Sequence, residues 1–177
     1  MKTLKTIQKT YSVFNTLAKI AMILSFIWAG IILVGLVFGM VWRFGGNIVG
    51  VPVEYVLTIT QAEGLEQMIG ALYGDFVLAL TDGLLFLFAQ RYFKQELADG
   101  TPFTMAGAEQ VKSLGIKTIV MPIVAIVLAA VIYECFGVTR PVSWDNGSAV
   151  VLGIALILFS LILRHGAELR ESSEAGK

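Results

Sequence analysis

Apolar positions in this chain come in long unbroken runs, with few polar residues between them. Residues 20–42 hold no charged side chain, 68–90 hold only Asp75 and Asp82, 118–136 hold only Glu134, and 148–163 hold none. A soluble helix keeps a polar face toward water, and these runs have none. About 20 consecutive apolar residues cross a hydrocarbon core of roughly 30 Å. The pattern therefore predicts an all-α membrane protein with four transmembrane helices at about 20–42, 68–92, 116–136 and 147–165. They form one membrane domain, 20–165, read as a bundle of two helical hairpins. A basic tail, 1–19, precedes it and a second tail, 166–177, follows it.

Polar and special residues punctuate the runs. In the first tail Leu4, Ile7, Tyr11, Phe14 and Leu17 recur at helical spacing with lysines between. That suits either a helix lying on an anionic leaflet or simple topogenic charge, and both readings stay open. In the connection 43–67, Pro52 weighs against a central strand. Thr60-Gln61-Ala62-Glu63 has capping-box spacing, so helix 2 is expected to begin near Gln61 and run to about Glu96. Gly100 and Pro102 mark a turn, and Thr104 is placed to cap a short helix leading to Gly115. Pro122 should kink helix 3. Trp42 and Trp144 suit interfacial positions, and Asp145 can cap helix 4.

Charge changes the picture by its distribution, since 13 basic and 13 acidic residues cancel. Lys2, Lys5, Lys9 and Lys19 lie before helix 1. Arg91, Lys94, Lys112 and Lys117 lie between helices 2 and 3, and Arg164, Arg170 and Lys177 follow helix 4. Only Arg43 and Arg140 fall on the other side. The positive-inside rule then places both termini in the cytoplasm. With its run of 23 apolar residues and no small-residue cleavage site after it, helix 1 reads as a retained anchor rather than a signal peptide. A mean hydropathy of +0.79 agrees with a membrane domain, and the connections are too short to bury a core of their own.

Candidate chemistry is sparse. The one cysteine, Cys135, cannot form an intramolecular disulfide. With one histidine and one cysteine, neither a metal site nor another cofactor is expected. No hydrolase, zinc-protease or phosphate-loop motif occurs, so no catalytic residue is named and no enzyme is expected. The basic residues are spread over topogenic positions, which argues against direct nucleic-acid binding. Asp75 and Asp82, seven residues apart, share one face of helix 2. Asp82 lies about nine residues, or roughly 13 Å, from the charged end at Arg91. A carboxylate at that depth costs about 2.5–3.5 kcal/mol and should face the bundle or water. Trp28, at similar depth on helix 1, and Ser25, one turn nearer the cytoplasm, are its candidate neighbours. Three readings follow: an interhelical clasp, a contact with a partner's helix, or a proton- or cation-linked transport site. Gly35-x-x-x-Gly39 and Gly70-x-x-x-Gly74 are close-packing signatures.

Two stretches carry a family resemblance. They are Asp99-Gly100-Thr101-Pro102-Phe103-Thr104, continued by Val111-Lys112-Ser113-Leu114-Gly115-Ile116, and residues 152–169 with the ending Leu163-Arg164-His165-Gly166-Ala167-Glu168-Leu169-Arg170-Glu171. Together they resemble the DUF2975 family of small bacterial four-helix membrane proteins. The segment Gln110–Ser113 is less basic than that family's pattern. The resemblance implies a protein of the bacterial cytoplasmic membrane that contacts a small cytoplasmic helix-turn-helix regulator. The surface for such a partner would lie in 95–114 and 168–177, at Asp99, Gly100, Pro102, Phe103, Lys112, Leu114, Glu168 and Arg170. The leading expectation is a non-enzymatic interaction protein. Alternatives are a small transporter or channel component using Asp82, with a homo-oligomer joined through Gly35/Gly39 or Gly70/Gly74, and an immunity or stress protein against membrane-active peptides.

Overall fold

The computed structural model describes residues 2–46, 52–99, 104–142 and 147–175. Among them the regular structure is all helical, without strands: α1 Lys2–Arg43, α2 Val53–Thr60, α3 Leu65–Asp99, α4 Met105–Cys135 and α5 Gly147–Ala175. Four of these, all but α2, are long and apolar enough to cross a membrane. The four-run pattern is consistent with a multi-pass membrane protein.

Every long helix outruns its apolar segment. α1 is continuous over 42 residues, about 63 Å at 1.5 Å per residue. The basic tail is thus the first part of the same helix as the span and no separate element. No Pro and no Gly stands before Gly30 to stop it. α5 likewise continues past Arg164 and His165 to Ala175. α4 runs unbroken from Met105 to Cys135 with Pro122 inside it, where the sequence suggests a short helix and then a span. Thr104 does cap it: its hydroxyl oxygen accepts the Gly107 N–H at 2.9 Å.

The connection after α1 differs most from its sequence reading. Residues 53–60 form α2, a helix where strong β-formers prevail. Pro52, with φ of −69°, leads into it, and Val56 and Leu57 pack against a hydrophobic core. Burial of one face overrides the β propensity. The Thr60 hydroxyl donates back to the Val56 carbonyl at 2.8 Å instead of capping a following helix. Gln61 takes a left-handed φ of 54°. Ala62 N–H then reaches the Leu57 carbonyl and Gln61 N–H the Thr58 carbonyl, a Schellman closure. α3 consequently begins at Leu65, not near Gln61. The capping role passes to Gln67, whose side chain accepts the Glu63 N–H at 3.1 Å.

The described chain divides into two compact units. One comprises Leu24–Asp82 and Pro122–Asp145. Its core joins Ala29, Ile32 and Leu36 of α1 to Met68, Ile69, Leu72 and Ala79 of α3, with Trp42, Val56, Leu57 and Phe136 against them. The other comprises Met1–Ile23, Gly83–Met121 and Asn146–Lys177. Its core is Tyr92, Ala108, Val111, Leu114 and Leu163, flanked by Tyr11, Phe88, Phe93 and Leu156. There Gly115 and Gly153 bring α4 and α5 into close backbone approach, since a Cβ on either glycine would stand only 2.8 Å from the other's carbonyl oxygen.

Candidate functional site

The most organised polar group lies in the unit that holds α2, around Asp75. Its assembly starts at the end of α4. Gly137 adopts φ of +63°. Val138 N–H bonds the Tyr133 carbonyl at 2.9 Å and Gly137 N–H the Glu134 carbonyl at 3.2 Å, a Schellman stop. The chain after this stop carries Arg140 to Asp75. The Arg140 Nη2 group donates to Asp75 Oδ2 at 2.6 Å and to the Tyr133 hydroxyl at 2.8 Å. Tyr133 in turn donates to Asp75 Oδ1 at 2.8 Å. Both carboxylate oxygens are therefore engaged, and the guanidinium carbon stands 5.3 Å from the Tyr133 ring centroid.

Glycines make room for this cluster. A Cβ on Gly74 would collide with the Tyr133 ring, and one on Gly70 with Phe136. The Gly70/Gly74 face of α3 is thus the platform on which α4 rests, and it directs the phenol toward the adjacent Asp75. Burial of Arg140 opposes its charge, but the hydrogen bonds and charges of Asp75 and Tyr133 outweigh that and raise its pKa. The arrangement is a charge-paired clasp that holds the carboxylate between two donors.

Asp82 is in a different setting. Its side chain is exposed and makes no hydrogen bond or ion pair among the described residues. Trp28 is 59% exposed, and Ser25 is half-buried. Among the described residues no hydrogen bond joins Asp82, Trp28 and Ser25 into a clasp, and of the bundle or water that its depth called for, Asp82 does not face the bundle. The clasp exists, but around Asp75. Helical spacing puts both aspartates on one face of α3, and only Asp75 is covered by α4.

The glycine pairs act inside the chain. Gly39 packs on Ile69 and Met68, its missing Cβ 3.0 Å from Ile69 Cγ1, and Gly35 packs on Leu72 at 3.5 Å. Gly70 and Gly74 are likewise covered by the chain's own side chains.

Of the expected partner surface, Lys112 and Glu168 are exposed. Glu168 pairs with Arg164 at 3.0 Å along α5. Leu114 is a correction: it is 8% exposed and belongs to a core, because its position on α4 faces Tyr92 and Leu163 rather than water. Gly100, Pro102 and Phe103, and the side chains of Asp99 and Arg170, lie outside the described residues.

Sequence reasoning missed Tyr133 and Arg140 as site residues. Arg140 was legible only as one of two basic residues away from the topogenic clusters. Among the described residues no cluster of His, Cys, Asp and Glu could hold a metal ion. Comparison with family models, with curated proteins and with solved structures found no match to this chain.

Proposed function

We propose that this is a non-enzymatic membrane interaction protein, whose role is to bind another polypeptide. The observation that supports this most is the contrast between the two aspartates of α3. Asp75 is closed off by Tyr133 and Arg140, whereas Asp82 stands exposed on an apolar helix with no partner among the described residues. A carboxylate on a membrane-facing surface is costly, and a polar group on a neighbouring helix removes that cost. Exposed Trp28 is a second large side chain in the same unit able to contact a neighbour. The closed state of Asp75 argues against a relay of two aspartates, so transport is the less supported reading.

In this proposal the protein sits in the bacterial cytoplasmic membrane with both termini inside, as its basic residues suggest. Through the resemblance to DUF2975 its cytoplasmic client would be a small helix-turn-helix regulator. Exposed Lys112 and Glu168 are the described residues available for it. The test is photo-crosslinking in native membranes from a probe at position 28, read by mass spectrometry. A recurrent protein adduct that Asp82→Leu abolishes is the expected result. Adducts to lipid alone, together with ion flux in proteoliposomes that Asp82→Asn stops, would overturn the proposal in favour of transport.

A further inference from the structure

A second polar feature lies in the unit containing α5, between α3 and α4. A small cavity of about 190 Å³ is walled by Phe88, Arg91 and Gln95 of α3 and Gln110, Ser113 and Lys117 of α4, with Tyr92 and Leu114 at its base. It is smaller than the roughly 300–1,000 Å³ of sites for drug-sized molecules, so it suits a single compact group. Its lining holds two cations, two amides and the hydroxyls of Ser113 and Tyr92, with no carboxylate. Neither Arg91 nor Lys117 forms an ion pair among the described residues. Lys117 is held in place, its Nζ 4.3 Å from the centroid of the Phe88 ring. Cations flanked by neutral donors are a recognition set for a phosphate.

The position of the cavity says which kind of phosphate. Arg91 directly follows the apolar run of α3, and Lys117 directly precedes that of α4. Both cations thus stand at the boundary between polar and apolar chain, the level of lipid headgroups. One turn further into the apolar segments, helical spacing places Leu84 and Leu85 on α3 and Val120 and Met121 on α4 along the same faces. These side chains suit an acyl chain and are useless to a free anion. From this geometry we infer that Arg91, Lys117, Gln95, Gln110 and Ser113 bind the headgroup phosphate of an anionic phospholipid. Basic pockets between spanning helices hold such headgroups.

The test is native mass spectrometry of the full-length protein in detergent, titrated with phosphatidylglycerol or with phosphatidylcholine. A second series contains millimolar inorganic phosphate. The protein is expected to prefer phosphatidylglycerol, and Arg91→Gln combined with Lys117→Gln to weaken that binding about 30-fold. Arg91→Lys should restore part of it when the partner is left as Lys117. Lys19→Gln with Lys94→Gln, which removes two exposed lysines outside the cavity, should leave it unchanged. Equal binding of the two lipids would overturn the inference. An equal loss in the two double variants would reduce it to bulk surface charge. Displacement by inorganic phosphate at concentrations near the lipid's own would make the cavity a free-anion site and overturn the lipid assignment.

Discussion

Asp75 owes its state to two residues far away in sequence, and each contributes a separable amount. Tyr133→Phe removes the hydroxyl that bonds Asp75 Oδ1 and is expected to cost about 1–2 kcal/mol. Arg140→Ala removes the counter-charge and two hydrogen bonds and is expected to cost more, about 2–3 kcal/mol. That is less than for a fully buried pair, because the two side chains keep 27% and 33% of their exposure. Thermal unfolding in detergent measures both, and a variant order of Arg140→Ala below Tyr133→Phe below the unaltered chain is the expected outcome. The exposed pair Arg43–Glu66, 2.8 Å apart with side chains 43% and 57% exposed, should by contrast contribute little. Glu66→Gln is expected to leave the melting temperature within error.

At the scale of elements, helix ends decide how the spans connect. Two of the stops use glycine at positive φ, Gly45 at +77° and Gly137 at +63°. The third uses Gln61 at +54°, where a side chain is strained. Gln61→Gly is therefore expected to raise stability by up to about 1 kcal/mol, seen as a higher unfolding temperature. Gly137→Ala should do the reverse, and because the turn after α4 delivers Arg140, it should also loosen the Asp75 clasp. Hydrogen exchange at residues 138–140 would report it as faster protection loss than in Arg140→Ala alone. α2 carries the other lesson of this scale. Its β-branched residues became helical because Val56 and Leu57 had a core to cover, a fact no local pattern contains.

The whole molecule offers a direct test of its proposed orientation through its single cysteine. Cys135 is exposed at the end of α4, and the proposed orientation would put it outside the cell. A membrane-impermeant maleimide is expected to label it in intact cells, and Cys135→Ser should abolish labelling. Labelling only after permeabilisation would reverse the orientation. The existence of four helices long and apolar enough to span a membrane was legible without coordinates, because a bilayer demands length and apolarity and both are local properties of the chain. The cap at Thr104 and the close-packing glycines were equally local. Helix lengths were only partly so: α3 runs past its apolar run much as expected, to Asp99, but α1 and α5 also continue past theirs for want of a residue that stops them. Nor was the difference between Asp75 and Asp82, which share a helix face and one residue type. The chain by itself determined that each long helix can enter a membrane. Tertiary packing alone decided that Tyr133 and Arg140 close over one aspartate, that Leu114 turns inward, and that the other aspartate is left outward, because those outcomes depend on which distant side chains meet.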